Sequence, residues 1–89
     1  MGRKQAYAVI YLDFPTENYA KVIFEALKPE TKTSPTPRAK VGLRRETRNL
    51  VLLFKARDVA ALRASVNSIL RFTNSLIQIL DMVKEVHGR

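Results

Sequence analysis

The sequence predicts an α+β fold, a two-layer sandwich in which a three-stranded antiparallel sheet carries two helices on one face. Two observations lead to this prediction. Residues 5–14, 39–46 and 50–56 have the alternating or continuous apolar pattern of β-strands. Residues 16–28 and 58–86 repeat their apolar positions with the period of an α-helix. The order of the elements is therefore strand, helix, strand, strand, helix, and no internal repeat interrupts it.

The length of 89 residues favours a single domain, predicted here over residues 1–89 with residues 1–4 and 87–89 as flexible tails. A chain of this size buries only about two thirds of the surface that its unfolded form exposes, so an added interface would help to stabilise it. The absence of cysteine excludes disulfides and thiol nucleophiles. Neither a signal peptide nor a membrane-spanning stretch is recognisable, so we expect a cytoplasmic protein.

The first predicted strand, residues 5–14, is apolar on both faces. One face carries Ala6, Ala8, Ile10, Leu12 and Phe14, and the other carries Tyr7, Val9, Tyr11 and Asp13. A strand in a small two-layer domain normally shows one face to water. Tyr7, Val9 and Tyr11 therefore indicate that something covers the second face.

The first predicted helix begins after Thr16, which can cap its first turn, and ends near Lys28, because Pro29 should prevent its continuation. Its core-facing residues are Ala20, Ile23, Phe24 and Leu27. A second apolar flank consists of Tyr19, Val22 and Ala26. The segment from Pro29 to Arg38 is rich in proline and polar residues, which is typical of an exposed loop.

The two strands that follow are predicted to form a hairpin. Residues 39–46 alternate between an apolar and a basic face, residues 46–49 form a polar turn, and residues 50–56 resemble a strand buried on both faces. The sheet face opposite the helices carries either Tyr7, Val9 and Tyr11 with Val51 and Leu53, or the alternative set of strand residues, and in both cases it is too apolar for water. This predicts a homodimer formed sheet to sheet or edge to edge. Its predicted interface residues are Tyr7, Val9, Tyr11, Val51 and Leu53.

The second helix, residues 58–86, is predicted to begin at the N-cap Asp58 and carries more apolar surface than one sheet can cover. Its polar stripe comprises Arg63, Asn67, Arg71, Asn74, Gln78, Asp81 and Glu85. Its core-facing flank comprises Leu62, Val66, Ile69, Leu70, Leu76, Ile77 and Leu80, and a second flank comprises Phe72, Ile79, Met82 and Val86. Either the two helices cover each other's second flank, or these flanks bind helices of another protein.

The formal net charge of +8 predicts an anionic partner, most simply RNA or DNA. The basic residues that could follow a phosphate backbone are Arg3, Lys4, Lys40, Arg44, Arg45 and Arg48. The alternative interpretation is a solvated charged surface without a ligand. The GxxG loop of a KH domain and the stacking aromatic residues of an RRM are both missing.

The sequence contains no pattern of catalytic residues, so we predict that the protein is not an enzyme and binds no cofactor or metal. His87 is the only histidine, and it lies in the predicted C-terminal tail. The carboxylates are scattered over caps, helix surfaces and turns. Glycine occurs only at positions 2, 42 and 88, which excludes a phosphate-binding glycine loop.

The run from Ala56 to Leu70, of the form A-x-D-x-x-x-L-R-x-x-V-N-S-x-L, resembles the signature of the CTAG/Pcc family. Phe14-Pro15-Thr16-Glu17 and the following Ala20-Lys21 are similar to a second marker of that family. This resemblance implies that the chain is the small dimerising subunit of the KEOPS (EKC) complex, which makes threonylcarbamoyladenosine in tRNA. The catalyst of that complex is a larger subunit of the ASKHA fold.

The resemblance also implies that the two helices dock on helices of the catalytic subunit and that the first strand contributes to the homodimer. The expected docking residues are Tyr19, Val22, Ala26, Phe72, Ile79 and Met82, with Ser65 permitting close approach of the partner. We therefore predict a non-catalytic dimerisation and scaffold subunit that contacts tRNA, if at all, only within the complex. The alternative is a free-standing basic nucleic-acid-binding module.

Overall fold

The computed structural model describes residues 5–32 and 37–87, with side chains described up to residue 83. It has the predicted architecture and element order. The elements are β1 (Ala6–Asp13), α1 (Glu17–Thr31), β2 (Ala39–Glu46), β3 (Asn49–Ala56) and α2 (Val59–His87). The predicted tail residues 1–4, 88 and 89, and residues 33–36 of the predicted loop, lie outside the described residues.

The three strands form one antiparallel sheet in the order β1-β3-β2, so β3 is central. The register places Ala8, Phe54 and Val41 side by side on one face, which we call the inner face because the helices pack on it. The next row, Val9, Leu53 and Gly42, lies on the opposite or outer face. The alternation continues along the sheet, so each strand contributes to both faces.

The hydrophobic core lies between the inner face and the helices. Its buried residues are Phe14, Ala20, Ile23, Leu27, Leu50, Leu52, Phe54 and Ile69. Most of the predicted core-facing flank of α2 packs against this cluster, including Leu62, Val66 and Leu80. The inner face is therefore covered mainly by the two helices of the protomer.

Both helices begin at the predicted N-caps. The backbone N–H of Tyr19 donates a hydrogen bond to Thr16 Oγ1 at 3.1 Å, and the N–H of Ala61 donates to Asp58 Oδ1 at 2.7 Å. These bonds satisfy backbone donors that have no partner within the first turn of a helix. The predicted N-caps Thr16 and Asp58 are therefore confirmed.

The predicted end of α1 at Lys28 is wrong, because the helix includes Pro29 and ends at Thr31. Proline removes one N–H donor, and in the last turn the loss of one intrahelical bond is tolerated. The final turn has other bonds: the N–H of Lys32 donates to the Pro29 carbonyl at 3.2 Å, and Thr31 Oγ1 donates to the Lys28 carbonyl at 2.8 Å.

The prediction that β3 is buried on both faces is wrong for most of its outer face. Leu50, Leu52 and Phe54 on the inner face are buried, whereas on the outer face Leu53 and Lys55 are exposed and Val51 is buried. The reason is that both helices pack on the same side of the sheet and leave the other side without a covering layer.

α2 is longer than the sheet beneath it. Its 29 residues span about 43 Å, whereas an eight-residue strand spans about 27 Å. The C-terminal part of α2 therefore lacks support from the sheet. Apolar residues in that part can be covered only by α1 or by another molecule.

Candidate protein-interaction surfaces

The outer face of the sheet presents large apolar side chains to solvent. Tyr7 is 63% exposed, Val9 50%, Tyr11 70% and Leu53 38%. Four of the five predicted interface residues thus lie together on one accessible surface. A contiguous apolar patch of this kind on a small domain is typical of a protein-binding site.

Val51, the fifth predicted interface residue, is only 1% exposed and is not available to a partner. It lies on the central strand, with Tyr11 opposite it on β1 and Arg44 opposite it on β2. Both opposite residues have side chains longer than valine, and directly opposite side chains on neighbouring strands lie within contact range. Its assignment to the interface is therefore corrected: Val51 belongs to the protomer's own packing.

Gly42 leaves a recess in the outer face. It lies opposite Leu53, and the cavity has a volume of about 420 Å³. The lining includes Tyr7, Val9 and Val41. A Cβ placed on Gly42 would lie 3.7 Å from Leu53 Cβ, an ordinary contact distance. The fold of the protomer therefore does not require glycine here, and the recess is free to accept a side chain from outside.

A second apolar surface lies between the N-terminal part of α1 and the C-terminal part of α2. The groove there has a volume of about 320 Å³ and is lined by Thr16, Asn18, Tyr19, Val22, Leu80 and Val83. Val22 is 48% exposed and Val83 50%. Ile79 and Met82 on the same part of α2 are 58% and 65% exposed. The two helices thus cover each other only in part.

Tyr19 fixes one side of this groove. Its ring stacks on Phe14 with the ring centroids 5.4 Å apart, and its hydroxyl donates a hydrogen bond to Asp81 Oδ1 at 2.8 Å. Burial, the hydrogen bond to Asp81 and the negative charge of Asp81 raise the pKa of Tyr19 to about 12. The bond joins the start of α1 to the end of α2, so the groove has a defined width.

Three other residues of the predicted docking surface are less exposed. Phe72 packs against the core, and Ser65 is completely buried, with no hydrogen-bond partner for its hydroxyl among the described residues. Ala26 is half-buried. Ser65 is not available to a partner, so its assignment to a partner-binding surface is corrected. Phe72 and Ala26 are only partly buried and stay predicted docking residues.

Val83 is a surface residue that the sequence interpretation missed, although a signal for it was present. Apolar or small residues of α2 recur at alternating spacings of three and four, in the series Leu62, Ser65, Ile69, Phe72, Leu76, Ile79 and Val83. The early members are covered within the protomer, whereas Ile79 and Val83 are exposed. This stripe is one continuous surface that runs past the end of the sheet.

The predicted nucleic-acid contacts are divided between two places. At the hairpin turn, each of three arginines lies near a carboxylate: Arg44 Nε is 3.2 Å from Glu46, Arg45 3.5 Å from Glu17, and Arg48 3.8 Å from Asp13. Lys40 lies at the other end of the hairpin, directly opposite Lys55. Arg3 and Lys4 lie outside the described residues.

The described residues contain no group of three His, Cys, Asp or Glu side chains that could hold a metal ion. Nor does any helix in the described part of the chain combine the length and apolarity needed to cross a membrane. The features that stand out on this molecule are therefore its surfaces.

Comparison with known proteins gives matches over most of the chain. Residues 7–81 match the family model described as "Transcription factor Pcc1". The KEOPS complex subunit Pcc1 of Pyrococcus abyssi (strain GE5 / Orsay) is 34% identical over 82 residues, which cover 92% of this chain and 100% of that relative. A chain in the crystal structure of the binary complex Gon7-Pcc1 has a TM-score of 0.78 at 22% identity, covering 88% of this chain and 95% of that one. At this identity the structural match establishes the fold alone.

Proposed function

The chain belongs to the Pcc1 family, and on that premise we propose that it is a non-catalytic dimerisation and scaffold subunit of a KEOPS complex. In this role it supports the threonylcarbamoyladenosine modification of tRNA in the cytoplasm without carrying out the reaction itself. The observation that carries the proposal is the uncovered apolar surface on two sides of one small domain.

The outer face of the sheet is proposed as the homodimer interface. A two-fold dimer uses the same patch on both copies, so one apolar face serves both partners. Tyr7, Val9, Tyr11 and Leu53 supply the apolar area, and the recess at Gly42 offers space for a side chain of the second copy. This arrangement would bury the apolar face without any change in the protomer's fold.

The surface formed by Val22, Ile79, Met82 and Val83 is proposed as the docking site for the catalytic ASKHA-fold subunit. An amphipathic helix binds well in a groove between two helices, because its apolar face replaces the water there. The spacings of three and four along α2 suit a further helix packed alongside. The docking thereby places the scaffold next to the catalyst.

Replacing Ile79 by Glu tests the docking surface, because an unpaired carboxylate is costly to bury in an apolar interface. We expect Ile79→Glu to abolish co-purification with the catalytic subunit of the complex, whereas wild-type protein is retained. The matched control is Gln78→Glu, which adds the same charge at an exposed position on the polar stripe of α2. Undiminished binding of Ile79→Glu, or equal loss in both variants, would contradict this surface.

The second candidate function is a free-standing basic nucleic-acid-binding module. It is favoured by the net charge of +8 and by the lysines that face each other at one end of the hairpin. This function requires RNA binding but no catalytic partner. Loss of a tRNA modification upon loss of co-purification would exclude it as the sole function.

A further inference from the structure

The outer face of the sheet is uneven, because one row of residues across the strands stands above the next row. Tyr11 on β1 is 70% exposed and the side chain of Arg44 on β2 is 58% exposed, whereas Val51 between them is 1% exposed. We call this row the ridge. The next row away from the hairpin turn contains Gly42, which has no side chain, and forms the recess described above. The ridge and the recess thus lie side by side at the centre of the outer face.

The charges at the two ends of the outer face have opposite signs. Lys40 and Lys55 lie opposite each other at the end away from the hairpin turn, and both are exposed. Asp13 on β1 and Glu46 on β2 lie at the turn end, and both are exposed as well. Each carboxylate lies within 4 Å of an arginine of its own chain, and its two oxygens can accept hydrogen bonds from a second cation. The face is therefore complementary in charge to a copy of itself turned end for end.

A second copy can pack face to face on this surface through a two-fold axis that runs either along the strands or across them. An axis along the strands would bring each row onto the same row of the partner, so that ridge would meet ridge and the two copies of Lys55 would face each other. An axis across the strands reverses the order of the rows. The ridge of each copy then meets the recess of the other, and the lysine end meets the carboxylate end. Shape and charge therefore favour the same axis.

We propose that a second copy of this chain binds the outer face through a two-fold axis that crosses the strands at the centre of the sheet. This inference rests on the proposed function, in which the outer face is the homodimer interface, and it adds the orientation of the second copy. Each strand then lies over the same strand of the partner, as in an aligned packing of two sheets. Lys40 of one copy lies beside Glu46 of the other, and the symmetry repeats this pair at the opposite end.

The same axis gives a reason for the glycine at position 42. Arg44 follows two residues later on the same face of β2, and the axis places it over Gly42 of the second copy. Its aliphatic stem can pack in the recess while its guanidinium stays 3.2 Å from Glu46 of its own chain. Within the protomer, a Cβ on Gly42 would meet only Leu53 at an ordinary distance. The space at Gly42 is thus needed by the second copy and not by the protomer.

A charge-reversal cycle at Lys40 and Glu46 tests the axis, with the dimer dissociation constant of the full chain measured by sedimentation equilibrium. We expect Lys40→Glu to raise Kd on the order of tenfold, because the symmetry places two repulsive pairs in each dimer. Glu46→Lys should raise it by a similar factor. The double variant Lys40→Glu/Glu46→Lys restores both pairs with their signs exchanged, and its Kd should return to within about threefold of the wild-type value.

The matched control is Lys21→Glu, which makes the same change of charge at an exposed position of α1, in the helical layer. Each protomer carries a net charge of +8, so a lower positive charge alone should reduce the repulsion between copies and leave Kd equal or slightly lower. Lys40→Glu should therefore move Kd in the opposite direction from the control. A Kd of Lys40→Glu at or below that of Lys21→Glu, or a double variant that does not recover, would overturn the proposed axis.

Pairing of two β2 edges into one continuous sheet would also bring Lys40 beside Glu46 of the second copy, so a further variant separates the two arrangements. Tyr11 lies on β1, at the opposite edge of the sheet from β2. In the face-to-face dimer, Tyr11→Ala removes a ridge residue and should raise Kd on the order of tenfold. In an edge-to-edge dimer the same change should leave Kd unaltered, and that result would overturn the proposal.

Failure of the axis is distinguishable from failure of the homodimer interface itself. A dimer that is weakened by Tyr11→Ala but shows no recovery in the charge-reversal cycle keeps the outer face as the interface and rejects the axis. A chain that stays monomeric at every accessible concentration rejects both and leaves another protein to cover the face. The docking test with Ile79→Glu concerns a surface residue of α2 and does not depend on either result.

Discussion

The inner and outer faces of the sheet are built from the same three strands, and both are rich in apolar residues, yet only the inner face is covered. Leu52 on the inner face is 0% exposed, and its chain neighbour Leu53 on the outer face is 38% exposed. The difference arises because both helices pack on one side. An apolar strand face therefore indicates that the face is covered, but it does not show whether the protomer itself or a partner protein covers it.

The largest expected effect is on stability, in a comparison of Leu52→Ala with Leu53→Ala. Truncating the fully buried Leu52 removes core contacts and leaves a cavity, which should lower the free energy of unfolding by about 2 to 5 kcal/mol. At protein concentrations where the protomer is monomeric, Leu53→Ala should cost less, about 0.5 to 2 kcal/mol, because the residue is already 38% exposed. Urea unfolding measures the free energy of unfolding of both variants, and an equal decrease in the two would contradict the difference in burial between the faces.

The second effect concerns self-association, and Gly42→Leu tests it. The backbone at Gly42 accepts a Cβ at ordinary contact distances, whereas a leucine side chain would fill the recess in the outer face. We expect the dimer dissociation constant to rise at least about tenfold, corresponding to about 1.4 kcal/mol. Sedimentation equilibrium measures this change.

Gly42→Ala is the control for that experiment, because its single methyl group leaves most of the recess open. Its dissociation constant should stay within about threefold of the wild-type value, or about 0.7 kcal/mol. A wild-type protein that remains monomeric at every accessible concentration would contradict the proposed dimer interface. A dimer unaffected by Gly42→Leu would place the contact elsewhere.

Much of the inner face could be predicted from the sequence, because its signals are local. The alternation in β1, the caps Thr16 and Asp58 and the period of α2 each depend on a few neighbouring residues. The structure confirms the fold class and the element order that these signals predicted. Pro29 misled the prediction because the rule against proline weakens in the last turn of a helix.

The burial of individual residues could not be predicted, because it depends on neighbours that are distant in the sequence. Val51 is buried in the central strand between β1 and β2, and Ser65 is buried on α2 although its serine side chain gave no apolar signal. The ion pairs of Arg45 and Arg48 connect the hairpin turn to residues near the start of the chain. The pairing of Lys40 with Lys55 was accessible in principle, since a two-residue turn fixes the register of the hairpin.

The smallest expected effect is a difference in unfolding free energy between variants of two tyrosines, one in the helical layer and one on the outer face. Tyr19→Phe removes the hydroxyl that bonds Asp81 and should lower the free energy of unfolding by about 0.5 to 1.5 kcal/mol. Tyr11→Phe should have almost no effect on the monomer, because among the described residues the Tyr11 hydroxyl makes no hydrogen bond. Urea unfolding of both variants at pH 7 gives the comparison, and an equal cost would contradict it.

The pH dependence of that difference tests whether the protonated Tyr19 hydroxyl, which is partly buried and bonded to Asp81, is its source. Tyrosine in an unfolded chain has a pKa of about 10, and the pKa of Tyr19 in the folded protein is raised to about 12. Folding therefore favours the protonated hydroxyl, so its contribution is complete below pH 10 and is lost as the pH rises through 12. The difference in unfolding free energy between wild type and Tyr19→Phe should shrink over this interval. A difference that stays constant up to pH 12 would mean that the phenylalanine acts through packing against Phe14 instead.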